Sequence, residues 1–102
     1  MASQNTFIVQ RVALRRILTA MHVDDKSIEA LLAAMEKSHR HFNAMAFVSQ
    51  LEKIGLERDQ VANVLRRIGL DDIAIANVFE MVDVQKISAE TGRVYNIVLD
   101  FS

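Results

Sequence analysis

Residues 54–67 read Ile-Gly-Leu-Glu-Arg-Asp-Gln-Val-Ala-Asn-Val-Leu-Arg-Arg, and residues 68–81 read Ile-Gly-Leu-Asp-Asp-Ile-Ala-Ile-Ala-Asn-Val-Phe-Glu-Met. The two stretches are an internal repeat of 14 residues, and six of its positions are identical. Each copy opens with a glycine turn and continues as about three turns of amphipathic helix. The repeat therefore predicts two short consecutive helices in the middle of the chain.

The composition predicts one helical domain over residues 1–102. Hydrophobic residues make up 51% of the chain and charged residues 25%, which is typical of a globular domain. The chain has no proline and only three glycines, and this favours helices over turn-rich β folds. The net charge is −1, so the whole molecule has no strong field that would attract nucleic acid.

Outward from the repeat, apolar residues at helical spacing predict three earlier helices. The first is predicted over residues 7–21, the second from Asp24 and the third over residues 43–54. The repeat itself supplies a fourth helix over 57–67 and a fifth over 72–82. Residues 1–6 are polar, and we expect them to be frayed.

The last ten residues do not follow the helical pattern. Residues 93–102 are rich in β-branched and aromatic side chains, which locally prefer an extended backbone. A lone strand cannot satisfy its own backbone hydrogen bonds, so the segment must pair with a strand, dock in a groove or become helical. We expect an extended or docking tail.

The sequence thus predicts an all-α fold, a compact bundle of about five short helices, with an extended C-terminal segment as an option. Twelve residues are predicted to form the core: Val12, Leu14, Leu18, Leu31, Leu32, Phe47, Leu51, Val64, Leu65, Ile68, Val78 and Phe79.

No catalytic constellation is recognisable, so the chain is predicted not to be an enzyme. The leading hypothesis is a protein-interaction module, an adaptor or small subunit that binds a partner helix or self-associates, as in a homodimer. Methionines line adaptable grooves, and extended apolar tails pair with partners. The residues predicted to contact the partner are Met21, Met35, Met45, Met81, Val94, Tyr95, Ile97, Leu99 and Phe101.

The alternative hypothesis is a small regulator that binds nucleic acid. It would use a basic patch on the first helix, formed by Arg11, Arg15 and Arg16. The helix pair at 57–82 also has the spacing of a helix-turn-helix motif. Four acids between residues 71 and 83 would repel phosphate, however, and this favours protein over nucleic acid as the partner.

Cofactors and metals are not predicted. The chain has no cysteine, and His39 and His41 lie together in a polar stretch without enough further ligands for a metal. The lack of cysteine predicts an intracellular, cytoplasmic protein, and no apolar run reaches the length of a membrane span. A mitochondrial location is the alternative, because residues 1–23 contain arginines and no acid.

Residues 28–82 resemble a degenerate pair of EF-hands in their apolar spacing. Ile28–Met35 would be the entering helix of the first hand, Phe42 its apolar loop residue and Phe47 an anchor of its exiting helix. In the second hand, Ile73 would take the loop position and Val78 would anchor the exit. The resemblance implies a light-chain-like module that holds an amphipathic target helix.

The calcium ligands of that family are missing. The first loop has Arg40 where glycine is expected and Ala46 at the closing position, and the second has Asn77 at closure. The resemblance therefore implies binding without calcium control. It also requires a long loop near residues 66–77, whereas the repeat requires a tight turn there, and the sequence leaves both alternatives open.

Overall fold

The computed structural model describes residues 3–84 and 93–100. The described residues form three strands and five helices, in the order β1, α1, α2, β2, α3, α4, α5 and β3. Their bounds are Ser3–Gln10 (β1), Arg11–Ala20 (α1), Asp25–Lys37 (α2), His41–Asn43 (β2), Ala44–Lys53 (α3), Arg58–Ile68 (α4), Asp72–Val84 (α5) and Arg93–Asp100 (β3).

The prediction of an all-α fold is wrong, because the two ends of the described chain form a sheet. The sheet order is β1-β3-β2, with β1 parallel and β2 antiparallel to β3. The protein is therefore an α+β fold. Residues 93–100 of the predicted tail form β3, which pairs with β1 along its whole length and with β2 at residues 96–98.

The chain start was also predicted wrongly. Residues 3–6 are not frayed but belong to β1, and the first helix begins at Arg11 rather than at residue 7. The apolar run at Phe7, Ile8 and Val9 fits both a helical stripe and a strand. In the structure it alternates as a strand does, with Val9 buried and Ile8 exposed.

The helices pack against one face of the sheet, and the core lies between the two layers. Tyr95, Ile97 and Leu99 of the central strand are buried in it, together with Phe42 of β2. Nine of the twelve predicted core residues are buried: Leu14, Leu18, Leu31, Leu32, Phe47, Leu51, Val64, Leu65 and Val78. Ile68 and Phe79 are partly buried against the core. The prediction for Val12 is wrong, because its side chain is 57% exposed.

The repeat forms the helix pair that it predicts. Helix α4 ends at Ile68 and α5 begins at Asp72, so a tight turn and not a long loop connects them. Gly69 has a φ of 130° in this turn, and Gly55 has a φ of 98° at the equivalent position after α3. Glycine adopts such positive φ angles without the steric penalty of a Cβ atom. Ile73, for which the EF-hand resemblance implied a strand position, lies in the first turn of α5.

Four helices end with the same backbone hydrogen bond, from a residue N–H to the carbonyl five positions earlier. The bonds join Val23 to Leu18, Arg40 to Met35, Leu56 to Leu51 and Leu70 to Leu65. This is the 6→1 bond of the Schellman motif, which needs positive φ at the residue before the donor. Glycine provides it after α3 and α4, whereas His22 (φ 65°) and His39 (φ 58°) provide it after α1 and α2.

Candidate interaction surface

The methionines predicted to contact a partner lie in or against the core. Met35 and Met81 are buried, and Met21 and Met45 are partly buried hydrophobic residues packed on the same cluster. Methionine fills irregular gaps between helices, and here it does so within the chain. The structure therefore does not bring the four methionines together as an open groove.

The apolar tail is likewise already packed. Tyr95, Ile97 and Leu99 point into the core from β3. The Tyr95 hydroxyl accepts a hydrogen bond from Asn77 Nδ2 at 3.2 Å. Val94 lies in β3, but its side chain is outside the described part, and Phe101 lies outside the described residues. Tyr95, Ile97 and Leu99 of the tail thus pack against the body of the same chain.

The predicted basic patch lies on α1. Arg11 and Arg16 are exposed, and Arg15 is partly buried. The Arg15 guanidinium forms an ion pair with Glu29 of α2, which neutralises part of the patch. An exposed pair of this kind contributes little to stability but does reduce the local positive field.

The acidic helix α5 is paired with arginines of α4. Arg58 bonds Asp83 at 3.0 Å, and its guanidinium carbon lies 4.6 Å from the centre of the Phe79 ring. Arg66 bonds Asp72 at 2.9 Å across the tight turn. The acids remain exposed on the helix that a helix-turn-helix motif would place against phosphate.

The segment between α2 and α3 has the geometry of a short loop with a strand. His39 and Arg40 both have positive φ, and β2 follows directly, with Phe42 8% exposed. Arg40, to which the EF-hand resemblance assigned a glycine position, has a φ of 64°. Within residues 3–84 and 93–100 there is no group of three or more His, Cys, Asp or Glu side chains that could hold a metal ion.

The open face of the sheet is the main surface that the sequence did not indicate. It is defined by the outward residues of the three strands: Thr6, Ile8 and Gln10 of β1, Asn96, Val98 and Asp100 of β3, and His41 and Asn43 of β2. Ile8, Val98 and His41 form one row across the strands. Ile8 is 66% exposed, so the face presents an aliphatic centre with polar neighbours.

Strand β1 also forms one edge of the sheet. All eight of its residues are in register with β3, from Ser3 with Arg93 to Gln10 with Asp100. None of the eight carries a charge and none is proline. This surface can be recognised from the sequence only if residues 3–10 are known to be a strand. The only local sign of a strand there is the alternation around Ile8.

No helix in the described part of the chain is long and apolar enough to cross a membrane. Comparison with protein-family models, curated proteins and solved structures finds no match to the chain.

Proposed function

We propose that this chain is a non-enzymatic protein-interaction module, an adaptor or small subunit that acts through the open face and the β1 edge of its sheet. The observation that carries the proposal is Ile8, which is 66% exposed on an uncharged edge strand. An edge strand presents a row of unpaired backbone N–H and C=O groups, which is a template for pairing with another chain.

The mode of binding that fits this surface is strand addition. An extended segment would hydrogen-bond to the outer backbone edge of β1, and its alternate side chains would lie beside Thr6, Ile8 and Gln10. The earlier hypothesis of an apolar groove made of methionines and tail residues has less support, because those of its side chains that the structure describes lie in or against the core. The binding surface that we propose is therefore the sheet and not the helices.

We further propose that binding does not depend on calcium. In the EF-hand-like stretch, Arg40 stands where that family has glycine, and Ala46 stands where its closing glutamate would bind calcium. The lack of cysteine supports an intracellular, cytoplasmic setting.

The experiment is site-specific photo-crosslinking in cells that express the full-length chain. A photoreactive residue replaces Ile8 in one variant and Ile73 in the other. The two isoleucines have nearly equal exposure, 66% and 68%, but Ile73 lies on α5. We expect discrete protein adducts from position 8 and few from position 73. Adducts that are equally frequent at both positions, or absent at position 8, would contradict the proposal.

A further inference from the structure

The two edges of the sheet are protected very differently. The β2 edge has only three residues, and helix α3 begins at the residue that follows it. The β1 edge has eight residues, and its unbroken register with β3 shows no bulge. Proteins usually protect long edges with lysine, proline, a bulge or a covering element, because alternate backbone N–H and C=O groups point outward there. Ser3–Gln10 contains neither lysine nor proline.

We propose that the β1 edge pairs with the β1 edge of a second copy of this chain. This inference rests on the proposed function and names the partner. The two strands run antiparallel about a two-fold axis, so that two three-stranded sheets join into one sheet of six strands. Isologous contacts of this kind are the commonest way in which proteins form dimers.

The composition of β1 suits pairing with itself. The strand has no charged side chain, so two copies meet without repulsion between like charges. Its outward backbone edge offers both donors and acceptors, which an antiparallel copy of the same edge complements. A charged extended segment would gain no ion pair from these eight residues. The observations therefore favour a second copy over a charged peptide.

Symmetry limits the register of the pair. When the open faces of both sheets lie on the same side, residues on that face must oppose one another. A register centred on Phe7 places Ile8 opposite Thr6 of the second copy and diagonal to its Ile8. In a register centred on Ile8, the two isoleucines are directly opposed, with Cβ atoms about 5 Å apart. Both registers cover side-chain surface that Ile8 exposes in the single chain.

The proposed interface is small. Two paired strands of this length lie below the standard interface area of about 1,200–2,000 Å². We therefore expect a monomer–dimer equilibrium that depends on concentration rather than a permanent dimer.

The test is sedimentation equilibrium of the full-length chain over a concentration series, beside Ile8→Lys and the matched control Ile73→Lys. Each copy of the lysine variant loses an aliphatic contact and gains a repelling charge. We expect Ile8→Lys to raise the dissociation constant by about tenfold or more, and Ile73→Lys to change it by less than about twofold. Circular dichroism should show that both variants keep the parent's helical signal.

A charge-swap experiment tests the geometry. Ile8→Lys and Ile8→Glu should each be monomeric alone, and an equimolar mixture should form a heterodimer because the opposite charges meet across the seam. A parent chain that is monomeric at every concentration, or a dimer that both lysine variants weaken equally, would overturn self-pairing. A monomeric chain that still crosslinks to another protein through position 8 would overturn self-pairing and leave the proposed function standing.

Discussion

The Tyr95 hydroxyl of β3 accepts a hydrogen bond from the Asn77 amide of α5, with 3.2 Å between the two heavy atoms. The ring of Tyr95 is buried, and Asn77 is partly exposed. The bond links the central strand to the last helix. It gives the phenol oxygen a partner where its loss of water would otherwise be unfavourable.

Tyr95→Phe should therefore lower the free energy of unfolding by about 0.5–1.5 kcal/mol, the usual net contribution of such a bond. The ring stays in place, so only the hydroxyl is lost. Urea unfolding of Tyr95→Phe, Asn77→Ala and the double variant measures the interaction as a double-mutant cycle. Strictly additive single effects would show that the two groups do not interact in solution.

The residues that terminate α1 and α4 give a second prediction, in which two substitutions change the stability of the protein in opposite directions. His22 holds the left-handed position after α1 (φ 65°), whereas Gly69 holds the equivalent position after α4 (φ 130°). His22→Gly should stabilise the protein by about 0.5–1 kcal/mol, because it relieves the Cβ clash of that conformation. Gly69→Ala should destabilise it by at least about 1 kcal/mol, because it adds a Cβ atom at a position with positive φ.

Thermal unfolding of the two variants shows which of them is more stable and which is less stable than the parent. An alanine Cβ at position 69 would lie 3.5 Å from Phe7 Cδ1, an ordinary van der Waals distance, so the effect reports the backbone and not a collision. Gly55→Ala is the matched control, because Gly55 has positive φ and no atom within 4 Å of the added Cβ. A His22→Gly variant that is clearly less stable than the parent would contradict this account.

Local pattern predicted the helices well but not the class of fold. The spacing around Leu31, Leu65 and Val78 is informative because an amphipathic helix carries its own period. The run at Phe7–Val9 is too short to separate a helical period from a strand period. Its strand partner is Ile97–Leu99, at the other end of the chain, and no local pattern shows that pairing. The C-terminal segment was expected to be extended because β-branched and aromatic side chains prefer that backbone, although a helix was left open.

The candidate surface was less predictable than the fold. The methionines and tail residues were predicted to bind a partner because apolar residues can either fill a core or bind another chain. Only their burial in the structure distinguishes the two roles. The sequence placed Ile8 in a helix. Its exposure on the open face became evident only from the structure, in which β1 pairs with β3. The left-handed conformations of His22 and His39 were also not predicted, because histidine adopts positive φ much less often than glycine does.

The N-cap of α3 is a further testable contact. Asn43 Oδ1 accepts a hydrogen bond from the backbone N–H of Ala46 at 2.8 Å. Asn43→Ala should lower the free energy of unfolding by about 0.5–2 kcal/mol. Asn43→Asp should retain most of the parent's stability, because aspartate caps equally well. Chemical denaturation compares the two. Equal losses in both variants would indicate that the capping bond is not what Asn43 contributes.

Truncation of a core side chain is predicted to change the free energy of unfolding by a larger amount. Leu65 of α4 is fully buried in the core. Leu65→Ala should lower the free energy of unfolding by about 2–5 kcal/mol, from lost apolar burial and the cavity that remains. Val12→Ala is the control, because Val12 is 57% exposed and its truncation should change stability by less than about 0.5 kcal/mol. A Leu65→Ala variant that melts within about 2 °C of the parent would contradict the packing described above.

Removal of β3 tests whether the tail is part of the fold or an appendage. A chain truncated after residue 92 lacks the central strand, so β1 and β2 lose their only strand partner in the described sheet. It also lacks three buried side chains, Tyr95, Ile97 and Leu99, and each such burial contributes about 1.5–3 kcal/mol.

Their sum is comparable with the whole stability of a domain, about 5–15 kcal/mol. We therefore expect the truncated chain to be insoluble or to lack a cooperative thermal transition by circular dichroism. Full-length Val98→Thr is the control, because Val98 lies on the open face and its substitution should leave the transition in place. A truncated chain that unfolds cooperatively near the parent's melting temperature would show that β3 is an appendage, and that its apolar residues are available for a partner after all.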